Sequence, residues 1–418
     1  MTKKTIFLIF ILAVVIRIGA FLYFEPLDEP RTWEYEDIAK NLAGGDGFKN
    51  VYLGTTYYSA TTPLYPFICA AVYKIFGINH NIVVFLQIMI SSLMCVVIFD
   101  LGRRVADEKI GLISALLCVF HPGLVLYSVT KVHPLVLDAL FLSATLWSFM
   151  RLKEKVSIGR AIAAGVITGV CILTRSSIVV FVPIGFIWLL WFSERKAIRD
   201  TFSALLLFTI AMFAVISPWV VRNFLIQKEF VLTSSADAEV FWRGNNPNAT
   251  GTSFTLSGNT VLKEDRVFYN KLLSMNELEQ RHYFRKESLK FVKENPGRTL
   301  KLFFKKFYYF WWFSPSSGIL YPSGYLLAYK CLYGFFVISA AIGFCSVVPG
   351  RFGVDFKNFI LLLLFLLSIS LFQSLFYVEG RHRWGIEPVF LIVSAIGAAS
   401  IFQNATNFRK ARKNANIG

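Results

Sequence analysis

Apolar runs separated by short polar connectors occupy most of the chain. Ten stretches, at 5–24, 80–102, 110–128, 134–152, 159–175, 177–193, 201–221, 325–348, 357–378 and 385–403, approach the roughly 20 apolar residues that one helical crossing of a bilayer needs. The pattern predicts an all-α polytopic membrane protein with about ten transmembrane helices. A further run, TLKLFFKKFYYFWWF at 299–313, carries Lys301, Lys305 and Lys306 among its aromatics and reads as a helix lying in the membrane interface. The N-terminal run continues past Ile16 through Arg17 into FLYFEPLDEP with no small-residue cleavage site, so it reads as an uncleaved first helix.

The connectors supply an orientation. MTKK, GRRVADEK (102–109), RLKEKVSIGR (151–160), SERKAIRD (193–200), PGRFGVDFK (349–357) and FRKARK (408–413) are the basic ones. Ten crossings place all six on one side, which the positive-inside rule makes the cytoplasm, with both termini. Two longer segments, 25–79 and 222–324, then lie outside. The expected organisation is an N-terminal transmembrane module, 1–221, that includes the first outer loop. An extracytoplasmic or interfacial segment, 222–324, and C-terminal helices with a basic tail, 325–418, follow.

Composition agrees with this layout. Charged residues are 17% of the chain, against about 25% in a soluble domain. The net charge of +17 sits mostly in the connectors and forms no stripe of the kind that binds nucleic acid. The six cysteines lie in or beside apolar runs without a CxxC pair and read as small buried residues. No P-loop, GxSxG or HExxH is present, and the sequon Asn248-Ala249-Thr250 is assigned no role.

The first outer loop is acidic at its start, with Asp28, Glu29, Glu34, Glu36 and Asp37. WEYEDIAKNL (33–42) has Tyr35, Ile38, Ala39 and Leu42 at helical spacing and ends at Gly44, Gly45 and Gly47. TTPLYPFICAAVYKIFG (61–77) reads as a second short helix. A carboxylate held beside such a helix at the membrane surface is placed to take a proton from an acceptor hydroxyl or amine. The same acids also fit solvated loop positions or charges favoured at a helix N-terminus.

Glu34-Tyr35, Ala39, Leu42, Gly45-Asp46-Gly47-Phe48, Pro63-Leu64-Tyr65-Pro66 and Phe76-Gly77 follow one another in an order and spacing that resembles the first periplasmic loop of glycosyltransferase family 39. These are the dolichyl-phosphate-mannose-protein mannosyltransferase-like proteins of the GT-C fold. LTRSS (173–177), SPWVVRNF (217–224) and GNNPNATG (244–251) extend the resemblance to about residue 251, and it is looser beyond. The resemblance implies a GT-C-like architecture with short amphipathic helices in the first outer loop. It also implies an inverting transferase, working on the outer face, that moves a monosaccharide from a polyprenyl phosphate (undecaprenyl in a bacterial inner membrane) to a lipid, glycan or protein acceptor. The implied catalytic acid is Glu34, with Asp28 and Asp37 as the other first-loop acids.

Arginines at outer helix ends run against the positive-inside rule. Arg175, Arg222, Arg381 and Arg383 are predicted there. With Lys131 they form the expected cradle for a donor phosphate, because a planar guanidinium suits phosphate oxygens. Pairing with a neighbouring acid such as Glu379 or Glu387, or snorkelling to lipid headgroups, is the other reading. Tyr35, Tyr65, His133, Asn223 and His382 complete the expected substrate pocket. Asp138 and His133 are the residues considered for a divalent cation, Mg²⁺ or Mn²⁺. A transporter or flippase of lipid-linked glycans, a polymerase or ligase using lipid-diphosphate donors, and a non-catalytic scaffold are the rival readings.

Overall fold

A computed structural model describes residues 2–24, 32–194, 198–255, 257–317, 323–347 and 353–415. Asp28 and Glu29 lie outside the described residues.

The chain begins with α1 (Thr2–Tyr23). The first outer loop then supplies α2 (Glu34–Gly44), a hairpin of β1 (Asn50–Tyr52) and β2 (Thr55–Tyr57), and α3 (Leu64–Phe76). Helix α2 forms where Glu34, Glu36 and Asp37 occupy its first turn, complementing the positive end of the helix dipole. It stops at Gly45, which adopts φ 89 and returns its N–H to Asn41 and Leu42, a left-handed stop that glycine takes without strain. The hairpin turns through Leu53 and Gly54, both at positive φ, the conformation that matches the twist of two paired strands.

Membrane helices follow as α4 (His80–Val105), α5 (Glu108–Val119), α6 (Pro122–Thr130), α7 (Leu135–Glu154), α8 (Ile158–Ile172), α9 (Phe181–Trp191) and α10 (Ile198–Gln227). Side-chain caps mark several starts: Asn79, Asp107 and Ser157 each accept from a backbone N–H of the first turn. Helices α5 and α6 meet at 47°. His121 caps α6 there and Pro122 opens it, so one predicted crossing is broken. The second outer segment folds as α11 (Asp237–Gly244), α12 (Val261–Glu264), α13 (Arg266–Leu272), α14 (Glu277–Glu294) and α15 (Pro296–Trp311). The chain returns as α16 (Ser323–Val347), α17 (Phe356–Gln373), a short α18 (Gly380–Trp384) and α19 (Glu387–Ala415).

Each of the ten predicted crossings is helical, but among the described residues six helices are long and apolar enough to span, or seven if the bent pair counts as one. The ten-crossing count is therefore not reproduced. Helix α8 shows why: its 15 residues reach roughly 22 Å at about 1.5 Å per residue, against a hydrocarbon core of about 30 Å. Ser176–Trp191 and Glu387–Gln403 are likewise apolar but short. The six spans are those of an integral membrane protein. Residues 299–311 of the run at 299–313 lie in α15, whose Leu302, Lys306 and Phe310 are buried while Leu300, Phe304 and Tyr308 are exposed.

Close helix contact rests on glycine. Gly165 and Gly169 of α8 face α10, where a Cβ would meet the Phe208 and Met212 carbonyl oxygens. Gly343 and Gly397 bring α16 and α19 together in the same way. Small residues let backbones approach where lipid supplies no hydrophobic drive between helices. Arg17, buried within α1, donates to Ser91 Oγ at 2.8 Å and to the Ala13 carbonyl at 3.2 Å, so hydroxyl and backbone oxygens satisfy it in place of an acid.

Two outcomes follow from this fold. Gly397→Val forces a side chain against the Ser339 carbonyl and is expected to lower stability by about 1–3 kcal/mol, read as a lower Tm in detergent. An unchanged Tm would contradict the contact. In a background lacking the exposed Cys331 and Cys345, Val267→Cys should react with an impermeant maleimide in intact cells. Lys155→Cys should react only after permeabilisation. Labelling of both from the same side would break the orientation that the basic connectors predict.

Candidate active site

The two outer segments close over the membrane helices and enclose a cavity of about 800 Å³. Its walls come from several distant parts of the chain. The first loop contributes Trp33, Glu34 and Tyr52; α11 contributes Glu239 and Arg243; the turn before α19 contributes Glu379, Arg381 and Arg383. Lys131, at the end of α6, completes the polar side, and Leu126, Leu326, Leu332 and Phe313 form an apolar one.

Glu34 lines this cavity and keeps an exposed face, with protein walls on the cavity's other sides. Burial holds its carboxyl above the ordinary value, because desolvation disfavours the charged form. A backbone hydrogen bond and the Arg381 and Arg243 charges oppose the rise, while Glu239 adds to it. Glu34 is thus within electrostatic reach of both arginine-bearing walls.

The predicted arginines separate into three situations. Arg381 faces the cavity with its nearest carboxylate, Glu379, at 3.5 Å; burial opposes its charge, but Tyr377 and Glu379 outweigh that and hold it protonated. Arg383 also lines the cavity but is held in a buried network. It pairs with Glu387 at 3.2 Å, donates to the Phe310 carbonyl and Tyr329 hydroxyl at 3.4 Å, and stands 3.7 Å from the Tyr333 ring centre. Arg175 and Arg222 lie outside the lining. Arg175 sits 3.7 Å from Asp138 and donates to Gln373 at 3.1 Å. Arg222 donates to the Tyr58 and Phe48 carbonyls and covers the Trp219 ring at 4.7 Å. It ties the first loop to α10.

The expected pocket residues mostly form the cavity's support and not its surface. Tyr65 donates to Gln87 at 2.7 Å, and Tyr35 meets the Tyr65 ring edge-on. His133 is buried against the rings of Trp33, Tyr35 and Tyr127. Burial, aided by the Arg381 and Arg175 charges, keeps it neutral, and its Nδ1 accepts from the Leu135 N–H at 3.1 Å. His382 is neutral for the same leading reason, and its Nδ1 accepts from the Glu379 N–H. Asn223 is fully buried and bridges Ser59 and the Val231 carbonyl. Asp37 is exposed on α2 and is not part of the lining.

His133 and Asp138 are each engaged with other partners. The imidazole Nδ1 is used as a helix cap, Asp138 faces Arg175, and among the described residues no group of three or more His, Cys, Asp or Glu side chains could hold a metal ion.

Sequence reasoning passed over Tyr52, Glu239 and Arg243. The available signal was DAEVFWRG (237–244), where an acid and an arginine four residues apart share one face of a short helix. Tyr52 carried none, since its partners lie 187 and 191 residues away.

Residues 60–221 match the family model described as dolichyl-phosphate-mannose-protein mannosyltransferase. Glu34, Glu239 and Arg381 lie outside that stretch. The Archaeoglobus fulgidus oligosaccharyltransferase is similar in structure. In its complex with Zn and sulfate the TM-score is 0.58 at 13% identity, covering 95% of this chain and 49% of that one. In the complex with an inhibitory peptide and a dolichol-phosphate the TM-score is 0.57 at 13% identity, covering 99% and 52%. This chain therefore spans about half the length of those proteins. No curated protein matches it closely in sequence. The fold is that of the archaeal oligosaccharyltransferase's matching half, and residues 60–221 are similar to the dolichyl-phosphate-mannose-protein mannosyltransferase family model.

Proposed function

We propose that this protein is a membrane glycosyltransferase that takes a monosaccharide from a polyprenyl phosphate and delivers it to a lipid, glycan or protein acceptor on the extracytoplasmic face. The observation that carries the reading is the meeting of Glu34 and Arg381 in one cavity that also has an apolar wall. A carboxylate, a guanidinium and an apolar surface at the membrane boundary suit a proton acceptor, a phosphate and a prenyl chain respectively. The complex of the similar archaeal oligosaccharyltransferase with a dolichol-phosphate supports a lipid-phosphate ligand for this fold.

In the proposed reaction Glu34 accepts the proton of the acceptor hydroxyl or amine as that atom forms a bond to the anomeric carbon. The bond from that carbon to the phosphate oxygen breaks, and its electron pair leaves with polyprenyl phosphate. Arg381 faces the charge that grows on the leaving oxygen, where a fixed donor in a water-poor site acts most strongly. Attack opposite the leaving phosphate inverts the anomeric centre. Lys131 and Arg383 line the same cavity. Arg383, already paired with Glu387, serves chiefly to hold the α18 turn in place. The second outer segment supplies the far wall and shapes acceptor choice.

Purified protein with a panel of polyprenyl-phosphate sugars should release polyprenyl phosphate. Release of a diphosphate from lipid-diphosphate donors instead, or no turnover on any donor, would sink the proposal in favour of a ligase or a transporter. Glu34→Gln should lower kcat by about 10²–10⁴-fold, and Arg381→Ala by about 10²–10³-fold, both with little change in Tm. Arg222→Ala should do the reverse, lowering Tm by removing the exposed and part-buried hydrogen bonds that tie the first loop to α10, each worth about 0.5–1.5 kcal/mol.

The pH dependence has a definite sign. Glu34 works as the carboxylate, so activity is lost as pH falls through its pKa. Because that pKa is raised, the acid limb of kcat/KM should lie above the ordinary 4.5. An acid limb at or below 4.5 would exclude Glu34 as the base.

A further inference from the structure

On the cavity wall formed by α11 and the first-loop hairpin, three side chains form a closed polar unit. Tyr52 donates to Glu239 Oε1 at 2.8 Å. Arg243 donates to the same oxygen through Nε at 2.9 Å and Nη2 at 2.6 Å, and through Nη2 to the Tyr52 hydroxyl at 3.0 Å. All three residues line the cavity, and the Glu239 side chain is only 8% exposed. Among the described residues no hydrogen bond falls on Glu239 Oε2 or on Arg243 Nη1.

The unit is unsuited to a phosphate, because Glu239 cancels the charge of Arg243 and places a carboxylate on that wall. It is equally unsuited to a prenyl chain, because burying its free donor and acceptor against hydrocarbon would leave both unsatisfied. A neutral polyol meets both conditions: one hydroxyl donates to Oε2 and a neighbouring hydroxyl oxygen accepts from Nη1. The geometry points to Tyr52, Glu239 and Arg243 as the unit that reads the hydroxyls of the donor's sugar. This rests on the glycosyl-transfer reading, in which the sugar bridges the phosphate at Arg381 and the attacking atom at Glu34. Rigidity matters to the function. Arg243 is held at two nitrogens and Tyr52 fixes the carboxylate plane, so a sugar with a misplaced hydroxyl leaves a buried group unpaired, the kind of mismatch that polar sites reject strongly.

The test separates sugar recognition from lipid-phosphate binding and from turnover. Binding of citronellyl phosphate and of its glucosyl, mannosyl and galactosyl esters is measured by calorimetry on the full-length protein in detergent. The unaltered protein should bind one of the sugar esters at least tenfold more tightly than citronellyl phosphate. Glu239→Gln and the milder Tyr52→Phe should each erase most of that ratio while leaving citronellyl phosphate affinity and Tm within twofold and a few degrees of the parent. An unchanged ratio in both variants would overturn the assignment while leaving glycosyl transfer standing. Equal weakening of all four ligands would also overturn it, as the mark of a merely structural role. Failure of the unaltered protein to bind any of the four would overturn the glycosyl-transfer reading and this one with it.

Discussion

The carboxylate of Glu277 is the hinge on which the outer half of the molecule depends. Although buried, it accepts from the Tyr58 and Ser59 N–H groups, the Ser235 hydroxyl and the Gln227 amide. These partners belong to the first loop, to the end of α10 and to the segment just after it, so one carboxylate ties the first loop to the α10 end of the second outer segment. A buried carboxylate without partners would be costly, and charge-assisted bonds to backbone N–H groups offset that cost most effectively. Arg222 does the complementary work from α10, donating to backbone carbonyls of the same loop. Tyr57 adds a contact to Gln280 on α14, and Leu53 is buried with Trp242, Phe268 and Phe284. Without this junction the hairpin bearing Tyr52 would have no reason to face α11, and the cavity would have one wall fewer.

The distribution of charge around the cavity follows from how each cation is satisfied. Arg383 is the more deeply buried of the two arginines in the α18 turn, and it meets that burial with Glu387, a tyrosine hydroxyl and two aromatic faces. Glu387 in turn takes a hydrogen bond with His121 at 3.1 Å, at the break between α5 and α6. The network therefore anchors the last helix to the bent pair and spends the arginine's charge on structure. Arg381, two residues earlier, pairs at longer range with Glu379, which Ser253 also engages, and interacts with the Tyr377 hydroxyl. Its guanidinium is less buried than that of Arg383 and lines the cavity. A short helix thus holds one arginine in a buried network and turns another toward the cavity, where the proposed reaction would use it.

Much of this was legible along the chain, and the division between what was and was not has a physical basis. Apolar runs located each of the six described helices long enough to span, because lipid exposure requires a long apolar segment that satisfies its own backbone hydrogen bonds. Such runs do not by themselves fix the crossing count, because a short helix such as α8 is as apolar per residue as a long one. The first loop was readable for a local reason: acids, a glycine stop and a proline-bounded helix lie within a few tens of residues. Lys306 shows where such reading ends. It appears as one of three lysines on an interfacial helix, yet its ammonium is buried and donates to Gly244, Asn245 and Leu375, with burial holding its pKa down to about 7. Its neighbours Lys301 and Lys305 have no such role, and nothing in the run KLFFKK distinguishes them. What distinguishes them is which face of α15 lies against the 244–245 turn and the end of α17. The same holds for Arg222 and Arg381, which have equal claims as outer arginines until the fold places one behind the loop and the other in front of it. Residue type sets what a side chain can do, whereas contacts across more than a hundred residues decide whether that capacity is used to hold the fold or is left facing the cavity.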